Sequence, residues 1–375
     1  MTIADRFAPA ACPRLVVKIG SALLVDPAGA IRRDWLAGIV ADVAERVRAG
    51  QQVAIVSSGA IALGARRLGL AKGGRASLED AQAAAATGQI GLSHAWAELL
   101  HAEGLTAAQM LVTLDDLEDR RRYLNASATL DRLLALGVVP VINENDSVAT
   151  EEIRFGDNDR LAARIAQASG AQGVILLSDI DGLYTANPQR DPAATLVPVV
   201  EEIDARIRAM ADGGSASGMG SGGMVSKLAA AKIAQTGGAH LAIVSGKRDR
   251  PLSAFVADGR GTLFVARPST SARKAWLAGR LTARGWIVVD PGAVEALRQG
   301  ASLLAAGARR VEGAFARGDV IEIADEGGGP IARGLSEYDA ADARRIAGRR
   351  NDAQAELLGY APRAALVHRD HLVLL

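Results

Sequence analysis

Five short runs rich in valine and isoleucine constrain the fold of this chain more than any other feature: Leu15–Ile19, Val53–Ser57, Val138–Ile142, Val174–Ser178 and Leu241–Ser245. Glycine, serine, aspartate or asparagine bounds them, so each reads as a strand entered and left through turns. Between the first two, Trp35, Ile39, Val43 and Val47 recur at helical spacing with charges on the opposite face. Strands that stay apolar throughout have no face to give to water. They belong in a mostly parallel sheet covered on both sides by helices, an α/β fold. In such sheets ligands sit beyond the carboxyl ends of the strands, so the residues that follow each run are the first to read for function.

The pattern changes after about residue 265. Arg260–Arg273 mixes Gly, Pro, Ser and Thr and reads as a linker. Short β-like pieces follow at Trp286–Val289, Ser302–Leu304, Val320–Ile323, Ile331–Gly334 and Leu372–Leu374, with one polar helical stretch from about Ala340. The expected division is a large α/β domain over 1–265, a linker over 266–280 and a small, mainly β domain over 281–375, which suits a chain of 375 residues. With 43 basic and 42 acidic residues the chain has no long-range field to gather nucleic acid or an anionic membrane. Aromatic residues at 3% give no stacking platform. The lone Cys12 excludes an internal disulfide, and neither a signal peptide nor a membrane-spanning run is visible, so a cytoplasmic protein with no membrane partner is expected.

Chemistry-bearing residues cluster where the strands end. Lys18-Ile19-Gly20-Ser21 puts a fixed cation at the ligand edge, with a glycine beside it that lets backbone approach a phosphate. Ser57-Ser58-Gly59-Ala60 runs into a helix whose first amides make an anion site. Asn143-Glu144-Asn145-Asp146, and then Gly156-Asp157-Asn158-Asp159-Arg160, gather carboxylates and amides suited to an ammonium group and to orienting lysines. Ser178-Asp179 ends a fourth strand. Gly218–Lys227 formally contains G-x-G-x-x-G, but it follows a polar loop rather than a strand and fits neither a dinucleotide fingerprint nor a Walker A loop. It reads as a flexible glycine loop opening a helix, with Lys227 placed to meet a triphosphate. His368-Arg369-Asp370 lacks the rest of a kinase catalytic loop, and His368 with His371 has no third ligand nearby, so no metal set is assigned.

Two lysines, glycine-rich amides, carboxylates and no obvious general base suit phosphoryl transfer to a nucleophile that is already ionised. Lys18 and Lys227 are expected to flank the transferring group, with Asp159 holding them in place and Mg²⁺ bridging the phosphates.

Taken in order, these motifs resemble the glutamate-phosphorylating members of the amino acid kinase family, over essentially the whole chain. Gly313-Ala314-Phe315-Ala316-Arg317-Gly318-Asp319-Val320 is similar to the signature of the PUA domain that many of them carry. The resemblance implies a three-layer αβα sandwich around a parallel-rich sheet and a small PUA-like domain behind it. It implies ATP as donor, L-glutamate as acceptor, and L-glutamyl 5-phosphate as the first intermediate towards proline. By motif match, Lys18, Ser178, Asp179 and the segment Ser221, Gly222, Gly223, Met224, Val225, Ser226 and Lys227 would bind ATP. Ser58, Asp146 and Asn158 would bind glutamate. Similar enzymes are inhibited by proline, form homodimers or homotetramers, and pass their product to glutamate-5-semialdehyde dehydrogenase. Ser178 stands where threonine is usual, which keeps the hydroxyl.

Two other readings compete. Another acyl-phosphate-forming kinase, such as an acetylglutamate kinase, would share the core but lack the PUA-like tail, and Asp146 with Asn158 suits a free ammonium better than a blocked amine. An RNA-binding or RNA-modification protein would use the tail; there thirteen arginines balance thirteen acids between Trp276 and Leu375, and the Arg344-Arg345 and Arg349-Arg350 stripe reads more simply as a solvated helix face.

Overall fold

All five runs are strands in the computed structural model, which describes residues 2–148, 158–211, 223–266 and 283–375. Strand β1 (Arg14–Ile19) leads through the single-turn α1 (Ser21–Leu24) to helix α2 (Arg33–Arg48). Then come β2 (Gln52–Ser57), α3 (Ala60–Leu68), α4 (Leu78–Ala102), β3 (Ala107–Val112), α5 (Leu114–Glu118), α6 (Arg120–Ala135) and β4 (Val139–Glu144). The remainder of this unit holds α7 (Asn158–Ser169), β5 (Gly173–Ser178), β6 (Val199–Val200), α8 (Ala205–Ala211), α9 (Met224–Thr236), β7 (His240–Ser245), α10 (Pro251–Asp258) and β8 (Thr262–Phe264).

The strands form one eight-stranded sheet in the order β3-β4-β2-β1-β5-β7-β8-β6. Every pair is parallel except β7 with β8. β1 sits in the middle, and its alternate side chains enter two different cores. Leu15, Val17 and Ile19 pack with Trp35, Leu36 and Ile39 of α2, Leu92 and Trp96 of α4, and Phe255 of α10. Val16 packs on the other face with Leu130 of α6, Leu161 and Ile165 of α7, and Leu228 of α9. A strand buried on both faces must be apolar at every position, which is why these runs carry no polar alternation. The result is the expected αβα sandwich.

Caps decide where several helices begin. The Ser77 side chain accepts from the Asp80 amide at the start of α4, Thr113 and Asp116 form a reciprocal capping box on α5, and Asp119 caps α6. Helices α3 and α4 pack through Ile61, Ala65, Ala81, Ala84 and Ala85, and at Gly64 and Gly88 their backbones meet directly. A Cβ added at Gly64 would lie 1.7 Å from the Ala84 carbonyl oxygen, and one at Gly88 would lie 1.9 Å from that of Ala60. Only glycine permits this backbone-to-backbone approach.

The chain divides into two compact units, Met1–Ser269 and Thr270–Leu375. The expected linker falls largely on residues 267–282, outside those described. Within the second unit, β9 (Gly285–Val289), α11 (Pro291–Arg298), β10 (Ala308–Gly313), β11 (Val320–Ala324), β12 (Pro330–Leu335), α12 (Ala340–Ile346), α13 (Asn351–Leu358) and β13 (Leu372–Leu374) follow in turn. Its five-stranded sheet runs β10-β9-β11-β12-β13 around a core containing Ile287, Ile321, Ile323 and Leu366. Ser302–Leu304 is not a strand: Leu303 makes one isolated bridge to Val367. The arginine stripe is partly committed as well. Arg344 donates to the carbonyls of Val311 and Gly313, and Arg345 bonds Asp342 and the Leu357 carbonyl.

Candidate active site

The carboxyl ends of β1, β2, β4 and β5 surround a cavity of about 510 Å³, as the switch in strand direction of connections about β1 and β5 leads one to expect. At its floor lies a three-residue charge cluster. Lys18, near the end of β1, has its Nζ 2.6 Å from Asp159 Oδ1, and Lys227, on the first turn of α9, has its Nζ 3.0 Å from Asp159 Oδ2. Asp159 begins α7 and is 1% exposed, while both lysines are buried. Burial alone would push the Asp159 carboxyl up; the two ammonium groups outweigh it and hold it below the ordinary carboxylate range. One carboxylate thus serves two cations, leaving the cluster one positive charge in excess.

A second group forms where β2 and β4 end. The Asn158 amide donates to Ser58 Oγ at 2.7 Å, to Asn143 Oδ1 at 3.0 Å and to the Ser57 carbonyl at 3.3 Å. Asn143 in turn donates to Gln89 Oε1 at 2.8 Å, and Trp96 Nε1 donates to Ser57 Oγ at 3.0 Å. This amide network fixes the wall on which Asp146 stands. Asp146 is 7% exposed, its Oδ1 has no hydrogen-bond partner among the described residues, and burial pushes its pKa up to about 6, with Arg75 acting in the opposite sense.

Gly59 and Gly223 cap α3 and α9 with no side-chain hydrogen bond, and both line the cavity. Among the described residues no side chain caps either helix start, and a helix N-terminus of this kind favours an anionic ligand. Gly59 has φ +114°, a conformation that requires glycine. Gly20 has φ −75° and no close neighbour, so neither conformation nor packing demands glycine there; it simply lines the cavity.

The structure brings together Lys18, Ser58, Asp146, Asn158, Ser178, Asp179, Gly223, Met224, Val225 and Lys227 as lining residues, with Asp159 bound to both lysines. Ser178 Oγ donates to Asp179 Oδ1 at 3.1 Å. Ser226 is not among the lining residues; on α9 it points about 100° away from its neighbour Lys227. Ser221 and Gly222 lie outside the described residues. Reasoning from the sequence missed Arg75, Asn143 and Gln89 as individual contributors, and Ile180, Leu183 and Met210 on the apolar wall. The Gly73-Gly74 dipeptide signals a turn before Arg75, but nothing local says which way that turn faces.

A profile of the amino acid kinase family matches residues 13–245. The chain belongs to the amino acid kinase family. A PUA domain profile matches residues 285–356, so this family member carries a PUA domain in its second unit. It is similar to the glutamate 5-kinase of Sphingopyxis alaskensis, at 73% identity over 98% of this chain and 99% of that protein. The glutamate 5-kinase of Zymomonas mobilis subsp. mobilis is 64% identical over 98% of this chain and 93% of its own. That of Novosphingobium aromaticivorans is 62% identical over 97% and 96%. Among the described residues, no helix is long and apolar enough to cross a membrane.

Proposed function

We propose that this amino acid kinase transfers the γ-phosphoryl group of ATP to the side-chain carboxylate of L-glutamate, yielding ADP and L-glutamyl 5-phosphate. The observation that supports this best is the Lys18–Asp159–Lys227 cluster lying in one cavity with the Ser58–Asn158–Asp146 wall. The acceptor is a carboxylate with an ordinary pKa near 4.3, so it is ionised at neutral pH and needs no base to activate it. The obstacle is to bring two anions together. Lys18 and Lys227 meet that obstacle with the cluster's excess positive charge, and the helix starts of α3 and α9 add the favourable end of their dipoles. Asp159 makes no contact of its own with substrate in this reading; it positions both ammonium groups. At the other end of the acceptor, Asp146 receives the ammonium group, and Ser58 and Asn158 fix the carbon chain's approach.

ATP would lie along Ser178-Asp179 and the start of α9, with Gly223, Met224 and Val225 beside it. Among the described residues no three His, Cys, Asp or Glu side chains cluster for a metal. Carboxylates offered singly, such as Asp179, suit Mg²⁺ that arrives on the nucleotide phosphates as part of the substrate. We extend the proposal to a cytoplasmic enzyme of proline formation, inhibited by proline at or beside the acceptor wall, assembled as a homodimer or homotetramer, and delivering its labile product to glutamate-5-semialdehyde dehydrogenase.

The test is purified protein with MgATP and hydroxylamine, which traps the acyl phosphate as a hydroxamate. Glutamate, N-acetylglutamate and aspartate are compared, each with and without proline. Hydroxamate from glutamate alone, suppressed by proline, is the expected result. Signal from only one of the other acids would overturn the substrate, and wild-type turnover by Lys227→Ala would overturn the mechanism.

A further inference from the structure

Three cations line the cavity among the described residues: Lys18, Lys227 and Arg75. The two lysines are tied to Asp159 at the transfer end. Arg75 is different. Its guanidinium forms no ion pair or hydrogen bond among the described residues, and the acid whose charge it meets is Asp146. The cavity therefore has two separate charged poles, one of lysines around a carboxylate and one pairing an open guanidinium with a buried carboxylate that lacks a partner on Oδ1.

The backbone before Arg75 is built rather than slack. Lys72, Gly73 and Gly74 are successively left-handed, with φ of +50°, +62° and +74°, and Lys72 is the one non-glycine residue of positive φ among those described. A left-handed lysine is unfavourable in isolation, so the surroundings must hold it. They do: Gly74 is pressed between α3 and α4, where an added Cβ would come within 2.9 Å of Ala65 Cβ and 3.1 Å of Ala84 Cβ. That contact fixes where the Arg75 side chain starts.

We propose that Arg75 binds the α-carboxylate of the glutamate acceptor and, with Asp146 on the ammonium group, clamps the zwitterionic head while the side-chain carboxylate reaches the lysines. This rests on the glutamate reading above. A guanidinium fork matches a carboxylate in two parallel hydrogen bonds, a fit that an ammonium cannot copy. Arg75 is then a specificity residue: it separates glutamate from 4-aminobutyrate, which is glutamate without its α-carboxylate.

The hydroxamate assay tests this with wild type, Arg75→Gln, Arg75→Lys and the exposed control Arg67→Gln. In Arg75→Gln, kcat/KM for glutamate should fall roughly 10- to 100-fold, the span of a hydrogen bond to a charged group. KM for ATP and competitive inhibition by 4-aminobutyrate should stay within about twofold of wild type, because neither uses the guanidinium. Arg75→Lys should fall between the two, and Arg67→Gln should match wild type. An unchanged kcat/KM for glutamate in a variant that melts like wild type overturns the proposal, as does a parallel weakening of 4-aminobutyrate. Absence of hydroxamate from glutamate in the wild type is a separate failure, visible without any variant, and overturns the glutamate reading itself.

Discussion

Replacing Asp146 by asparagine should make the protein more stable and a worse catalyst. Burial raises this carboxyl from 3.8 to about 6 in the folded chain. A rise of roughly two units at 1.36 kcal/mol each means that ionising Asp146 costs the fold about 3 kcal/mol. The pH dependence follows from which state holds the proton. Below 3.8 both states are protonated and the penalty is absent. Between 3.8 and about 6 the unfolded chain releases its proton first, so stability falls as pH rises, and above that window the penalty is complete. Asp146→Asn removes the charge at nearly constant shape. It should therefore gain about 1–3 kcal/mol at about pH 7.5, or roughly 2–10 °C in the melting of the first unit followed by far-UV circular dichroism. The gain should vanish near pH 4. In the hydroxamate assay kcat/KM for glutamate should fall tenfold or more, since a neutral amide cannot balance the ammonium group. A variant that melts at or below wild type at about pH 7.5, or whose gain is the same at both pH values, would refute the reasoning.

Asp159→Asn leaves two buried ammonium groups without their shared counter-charge; it should cost about 3–5 kcal/mol in thermal unfolding and abolish measurable hydroxamate formation. Gly64→Ala drives a methyl group into the Ala84 carbonyl, so α3 and α4 must separate, and a loss of about 3 kcal/mol or more with a raised KM for glutamate is expected. Ser58→Ala removes the 2.7 Å acceptor of the Asn158 amide, which keeps its contacts to Asn143 and Ser57; stability should drop by only about 1 kcal/mol while KM for glutamate rises several-fold.

How much of this was readable in advance depended on where a residue's environment comes from. β1, β2, β4, β5 and β7 are legible because both their faces are buried, and burial on both faces leaves an unbroken apolar word. β3 escaped notice: it is one edge of the sheet, and apart from Val112 its residues are part-buried or exposed. β10 escaped as well, since Arg309, Arg310 and Glu312 face solvent and the strand bulges between Ala308 and Arg310. In the site, Lys18, Ser58, Asp146, Ser178 and Lys227 are legible because strand ends and a helix start place them. Arg75 reaches the cavity, and Gln89 reaches the Asn143 side chain that lines it, only through the way α4 and the turn before it pack, which no local pattern encodes.

The sharing of Asp159 also sets the order in which the protein can come to life. Lys18 leaves the ribosome early, Asp159 midway and Lys227 only after a further stretch of chain, so about two hundred residues separate the two cations that one acid unites. At roughly 5–20 residues per second that is a delay of about 10–40 s. Until α9 docks, the nascent chain holds a single lysine against this carboxylate and a sheet that lacks β7. No shortened product ending before Lys227 could carry the full charge cluster, so on the proposed mechanism an interrupted synthesis yields an inactive chain rather than a leaky one.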